Sequence, residues 1–229
     1  MPALYRSIVF FLLFLSTWGW TCQATAEELS PKDIAARLQK TYEESTSLNA
    51  KFRQVTTMAL TGKERLGFGT LVFMKPGLMR WDYIEPERQV LISDGDEISM
   101  YFANSNQMLI TSAREYLQSD VSYAFFAGTG DVLRDFEAVR PEGQPEVAAD
   151  EYAIELVPRQ PHPQISRLYV QAARDTFLIT RLRIVDHFDT VTDLYFEEIH
   201  LNVLAGADPQ TIAELFSFIP PPGTEIIEQ

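Results

Sequence analysis

Cysteine and histidine are nearly missing from these 229 residues: Cys22 stands alone, and the histidines are His162, His187 and His200. No two histidines share a metal-ligand spacing, and no G-x-S-x-G elbow, H-E-x-x-H helix or Walker loop occurs. Gly67-Phe68-Gly69 lacks the third glycine and the following helix of a dinucleotide site. Asp94-Gly95-Asp96 is explained by a hairpin turn rather than by calcium. Glu197 and Glu198 are neighbours on a strand and point to opposite faces, so they make a poor catalytic dyad. His187-Phe188-Asp189 offers a base and an orienting carboxylate on paper, but reads better as an exposed strand end. No catalytic residue, no metal site and no cofactor is expected: the chain reads as a binding protein, not an enzyme.

Positive charge is also scarce. Nineteen Lys and Arg face 32 Asp and Glu, a formal charge of −13. That argues against nucleic acid and anionic membrane surfaces as partners and favours a self-repelling, soluble chain. Long apolar runs are absent beyond residues 8–15, too short to span a bilayer. That run follows Arg6 and precedes Ala24-Thr25-Ala26, the layout of a secretory signal peptide over residues 1–26 with cleavage after Ala26. Thr21-Cys22 is a poor lipidation signal. Cleavage removes Cys22, so the remaining chain has no disulfide, no thiolate nucleophile and no thiol ligand. Residues 27–229 suffice for one domain held by its apolar core, and no linker or internal repeat divides them.

What is present is alternation. A first helix starts at Ser30 as N-cap with Pro31 at its first position, and Ile34, Leu38 and Tyr42 form one apolar stripe. The period then changes to two. Strands are predicted over residues 51–60 and 66–74, along Met79, Trp81 and Tyr83, and over 89–93, 98–102 and 107–111. Leu66, Phe68, Val72 and Met74 share one face of the second strand, and Gly67 and Gly69 lie on the other, where backbone can approach closely. Ser119 or Asp120 caps a short helix through Val121, Ala124 and Phe125. Strands resume at 136–140, 152–157, 166–171, 178–186 and 190–204, with residues 141–150 a solvated loop. In the strand at 178–186, Leu178, Leu182 and Ile184 oppose Arg181 and Arg183. Asp208 caps a last helix, and the turn at 220–223 closes the domain.

The expected fold is therefore mainly β with a few helices (α+β): one antiparallel sheet of about 11 strands. A sheet of that width curls or closes, and its concave face is naturally plugged by one-sided helices. Trp81, Met74, Met79, Met100, Met108 and many phenylalanines supply a large, adaptable apolar surface. Such a surface suits a greasy, poorly shaped ligand better than bond-breaking chemistry.

The residues also carry a resemblance. Phe52-x-Gln54 follows the first helix; F-x-K-P-G-x-x-R-W-x-Y occupies 73–83; Pro86, Ser93-Asp94-Gly95 and Tyr101 follow; and F-x-F with its proline turn and Gly-Thr closes the chain at 216–224, with one extra proline. This resembles the LolA family of periplasmic lipoprotein carriers of Gram-negative bacteria. The resemblance implies an open, incomplete β-barrel with helices in its mouth. It implies a periplasmic, monomeric chaperone that takes the acyl chains of lipoproteins from an inner-membrane ABC release complex and delivers them to an outer-membrane lipoprotein receptor. By this reading Phe52, Met79, Trp81 and Tyr83 line the acyl cavity. Ile34, Leu38, Tyr42, Val121 and Phe125 form the lid. Lys75, where many members have Arg, latches the lid through its carbonyls, and Met79 stands where many have Phe. The physics agrees: a triacylated anchor exposed to water costs on the order of 30 kcal/mol, so it needs an escort across an aqueous gap.

Three rival readings remain: a lipid- or lipoprotein-sensing domain on the same half-barrel, the receptor of the same pathway, and a secreted lipid hydrolase. The first usually brings an extra domain, the second needs a lipidated Cys22, and the third needs a nucleophile–histidine pair that the sequence does not offer.

Overall fold

A computed structural model describes residues 28–113, 116, 126, 131–143 and 147–228. The signal peptide expected at 1–26, and the helix expected through Val121, Ala124 and Phe125, lie outside the described residues.

Helix α1 (Pro31–Glu44) begins as the sequence dictates: the Ser30 side chain accepts from the Asp33 N–H, and Pro31 needs no partner at the first position. It buries Ile34, Ala35, Leu38 and Tyr42. Twelve strands follow in one sheet: β1 (Ser47–Thr57), β2 (Glu64–Met74), β3 (Leu78–Glu85), β4 (Gln89–Asp94), β5 (Glu97–Phe102), β6 (Gln107–Ser112), β7 (Phe136–Val139), β8 (Glu151–Pro158), β9 (Arg167–Ala173), β10 (Ile179–Val185), β11 (Val191–Leu201) and β12 (Glu225–Glu228). The described residues also form two short helices, α2 (Val132–Asp135) and α3 (Pro209–Leu215).

The strand order is β12-β6-β5-β4-β3-β2-β1-β11-β10-β9-β8-β7. All neighbours are antiparallel except β12, which runs parallel to β6. The chain is thus two meanders joined where β1 meets β11. The outermost strands β7 and β12 do not pair, so the barrel is open. Yet it is strongly curled. Five strands separate β5 from β10; a flat sheet would hold them about 29 Å apart at about 4.8 Å per step. Instead Met100 and Phe102 of β5 line the same cavity as Ile184 of β10.

One face converges on the main core. It carries Phe52 (β1), Leu71 and Phe73 (β2), Met79 and Trp81 (β3), Ile98 (β5), Ile154 and Leu156 (β8), Leu168 and Val170 (β9), Leu182 (β10), and Leu194 and Phe196 (β11), all buried. Helix α1 packs across it against α2, β7 and β8. The other face has its own small core of Val90, Ile92, Tyr101 and Met108, covered by Ile110 and Phe218. Arg80 ties down that cover by donating to the carbonyls of Leu215 (2.9 Å) and Ser217 (3.2 Å). Tyr195, also on the outer face, lies under the guanidinium groups of Arg53 and Arg181 at 3.9 and 4.9 Å.

The architecture is the expected one, and four details differ. The sheet has twelve strands and one parallel pair, because the short Glu225–Glu228 stretch, which has no alternation, joins β6 through its backbone. Met108 faces the outer core, not the concave face. On β2 the buried face is the glycine face, carrying Leu71 and Phe73, while Leu66 and Phe68 are exposed. On β10 a register shift between Ile179 and Arg181 turns Ile179 inward in place of Leu178.

Candidate binding cavity

Glycine on β2 builds the centre of the site. The register puts Gly69 between Phe52 of β1 and Tyr83 of β3. With no side chain at Gly69, the rings reach across the middle strand. Phe52 lies 4.8 Å from Tyr83 and 5.1 Å from Trp81, both edge-to-face. Phe73 meets Trp81 at 6.2 Å and Phe126 at 5.5 Å. Phe126 also packs on Tyr42 of α1 and on Phe196 of β11. A continuous aromatic layer therefore runs from β3 to β11, and Phe126 joins it to Tyr42 of α1.

Beside this layer opens a cavity of about 610 Å³, within the usual range for ligand pockets of about 300–1,000 Å³. Trp81, Tyr83, Leu91 and Met100 form one wall, and Ile165, Ile184 and Leu194 the other. Gln54, Gln89, Gln164, Asp186 and His187 rim its mouth. Tyr83 Oη donates to Gln54 Oε1 at 2.7 Å. The indole N–H of Trp81 is buried and has no hydrogen-bond partner among the described residues. The Asp186–Asp189 turn is pinned by His187 Nε2, 2.7 Å from the carbonyl oxygen of His162. Burial and the neighbouring His187 hold the His162 imidazole below its ordinary pKa.

The four expected cavity residues all lie on the concave face, but they divide. Trp81 and Tyr83 line the open cavity. Phe52 and Met79 are packed in the core, 3 % and 1 % exposed. Of the expected lid residues, Ile34, Leu38 and Tyr42 are buried on the inner side of α1, while Val121 and Phe125 lie outside the described residues. Tyr42 accepts from the Ile179 N–H (2.9 Å), tying α1 to β10, and burial pushes its phenol pKa well up. Helix α1 has no basic residue in its last turn. Lys75, in the β2–β3 turn, supplies the missing charge: its Nζ donates to the carbonyls of Tyr42 (2.6 Å) and Glu43 (2.9 Å), at the negative end of the helix dipole. Burial lowers the ammonium pKa, and Glu43 partly restores it.

Sequence reasoning missed Leu71, Phe73 and Phe126. The signal for the first two was their shared parity with Gly69; Phe126 is adjacent in sequence to Phe125, and apolar periodicity alone does not choose between neighbours. His187 is exposed and engaged with a carbonyl, and among the described residues no group of three His, Cys, Asp or Glu could hold a metal. Nor is any helix among the described residues long and apolar enough to cross a membrane.

Comparison with known proteins agrees with this geometry. The family model described as outer membrane lipoprotein carrier protein LolA matches residues 43–209, well over half of the chain. The outer-membrane lipoprotein carrier protein of Methylococcus capsulatus is 28% identical over 229 residues, covering 100% of this chain and 99% of its own. That of Nitrosomonas europaea is 27% identical over 197 residues, covering 86% and 90%. Among solved structures, an uncharacterized conserved protein from Thermus thermophilus superposes with a TM-score of 0.53 at 16% identity, over 86% of this chain and 98% of that one, a likeness of fold.

Proposed function

This chain belongs to the LolA family of outer-membrane lipoprotein carriers, and from that premise we propose that it carries lipoproteins across the periplasm with their acyl chains hidden in the curled sheet. The family is one of carriers, not enzymes. The observation that carries the proposal is the open 610 Å³ cavity, walled by Trp81, Tyr83, Leu91, Met100 and Leu194 and adjoining an aromatic layer that meets α1 at Tyr42. The open part takes the first stretch of hydrocarbon. Deeper entry requires a lid to give way, a role we assign to Ile34, Leu38 and Tyr42 of α1 together with Val121 and Phe125. The lid therefore sets the affinity: each ligand must repay its displacement, which keeps binding reversible. Lys75 is the latch that holds α1 shut. In this reading residues 1–26 are a cleaved signal peptide and 27–229 the carrier domain. The cargo arrives from an inner-membrane ABC release complex and leaves to an outer-membrane lipoprotein receptor.

Tryptophan fluorescence tests the cavity directly. Once residues 1–26 are removed, Trp18 and Trp20 are gone and Trp81 is the sole indole. Titration with palmitic acid or a triacylated lipopeptide shifts its emission saturably. An unchanged spectrum at ligand concentrations that saturate an independent binding assay would rule out acyl occupancy of this cavity.

A further inference from the structure

Strand β2 is longer than its neighbour. Glu64–Gly67 pair with Gln54–Thr57 of β1, but the ladder to β3 begins only at Phe68 and Glu85. The outer edge of β2 over those four residues therefore has no strand partner among the described residues. Beside it the β3–β4 turn leaves a notch of about 680 Å³, lined by Glu64, Arg65, Leu66, Phe68, Glu85 and Glu87 among others. Gln54, Tyr83 and Gln89 line both this notch and the 610 Å³ cavity, so the two adjoin.

We propose that the notch seats the polypeptide segment that immediately follows the acylated residue of a bound lipoprotein, paired as an added strand along Glu64–Gly67. This rests on the carrier reading above. A lipoprotein whose acyl chains occupy the cavity must lead its polypeptide out past the mouth, and the notch is the exit bordered by free backbone. Four extended residues span about 13 Å, the length of the free edge. Main-chain pairing is indifferent to side chains, which suits a carrier of many cargoes. Leu66, Phe68 and Ile84, 49 %, 39 % and 62 % exposed, flank the edge and offer contact to whatever side chains alternate along the strand. Three carboxylates against one guanidinium, Glu64, Glu85 and Glu87 with Arg65, select for a segment free of acidic residues.

The test uses the protein without residues 1–26 and four probes: palmitic acid, a triacylated lipopeptide with five neutral residues, and two forms of that lipopeptide N-methylated at alternate amides, one in each phase. Hydrogen exchange of those amides of Glu64–Gly67 that face the free edge, rather than β1, slows at least tenfold with the lipopeptide and not with palmitic acid. N-methylation in one phase weakens binding about tenfold, the loss of two net backbone hydrogen bonds, and in the other phase leaves it nearly unchanged. Palmitic acid binding with equal affinity for all lipopeptides and unaltered exchange would overturn the edge while leaving the cavity standing. Failure of palmitic acid to bind would remove both. Protection of these amides without ligand, together with a doubled mass in solution, would assign the edge to a second copy of the chain and overturn the proposal.

Discussion

Phe52 and Tyr83 pack edge to face with ring centroids 4.8 Å apart, although a whole strand lies between β1 and β3 that carry them. Gly69 makes this possible. A Cβ there would lie 1.9 Å from the Asp82 carbonyl oxygen and 2.7 Å from the Phe52 ring. The ring can turn aside; the backbone oxygen cannot. Gly69→Ala therefore forces β2 and β3 apart and costs about 3 kcal/mol, at the upper end of overpacking effects. Urea unfolding measures it, and an unchanged midpoint would contradict the close approach.

Tyr42→Phe leaves the buried Ile179 N–H without its acceptor. The expected loss is about 1–3 kcal/mol. Burial raises the folded-state phenol pKa above its ordinary value of 10.0, so the phenol's contribution is present below pH 10 and lost as pH rises beyond it. The wild type consequently loses stability above pH 10 relative to Tyr42→Phe, a difference readable from paired denaturation curves.

Lys75→Met removes both donors to the α1 carbonyls. Amide exchange at the C-terminal end of α1 accelerates, and affinity for palmitic acid increases because the competent open state is more populated. Lys75→Arg restores the slower exchange. The pH dependence has the opposite sign to that of Tyr42. A lowered lysine pKa in the fold contributes most favourably above 10.5 and less as pH falls through the folded value. Equal exchange in Lys75→Met and wild type would deny the latch.

Two glutamate substitutions separate core from cavity. Met79 is 1 % exposed, so Met79→Glu buries an unpaired carboxyl and costs several kcal/mol. The folded state retains the carboxyl proton more tightly, so that variant gains stability as pH falls. Met100 lines the open cavity and is only partly buried. Met100→Glu keeps stability within about 1 kcal/mol of wild type, yet lowers palmitic acid affinity at least tenfold. A folded Met79→Glu at neutral pH, or normal binding by Met100→Glu, would show that the two positions are misassigned.

Much of the fold is legible in the amino-acid order. Helix α1 follows from Ser30, Pro31 and an i, i+4 stripe, all local signals. The hairpins follow from turn residues such as Asp94-Gly95 and Asn104-Ser105-Asn106 between alternating runs. Met79, Trp81 and Tyr83 share a face by strand parity alone. Other features are hidden because their cause is not local. β12 has no apolar pattern of its own; it exists because the Asn106 carbonyl accepts the Glu225 N–H and anchors the tail to β6. Met100 and Met108 look alike in sequence, but the register pairs Met100 with Leu109 and Met108 with Tyr101, on opposite faces of the sheet.

The alternation, the caps and the turns can be read from the amino-acid order alone, since each depends on residues within a few positions of one another. Which face of β2 is buried, how far the sheet curls, and that Lys75 reaches the end of α1 emerge only once the strands are assembled. Those depend on register across strands and on the space a missing side chain leaves at Gly69, and no stretch of chain read alone contains its neighbours.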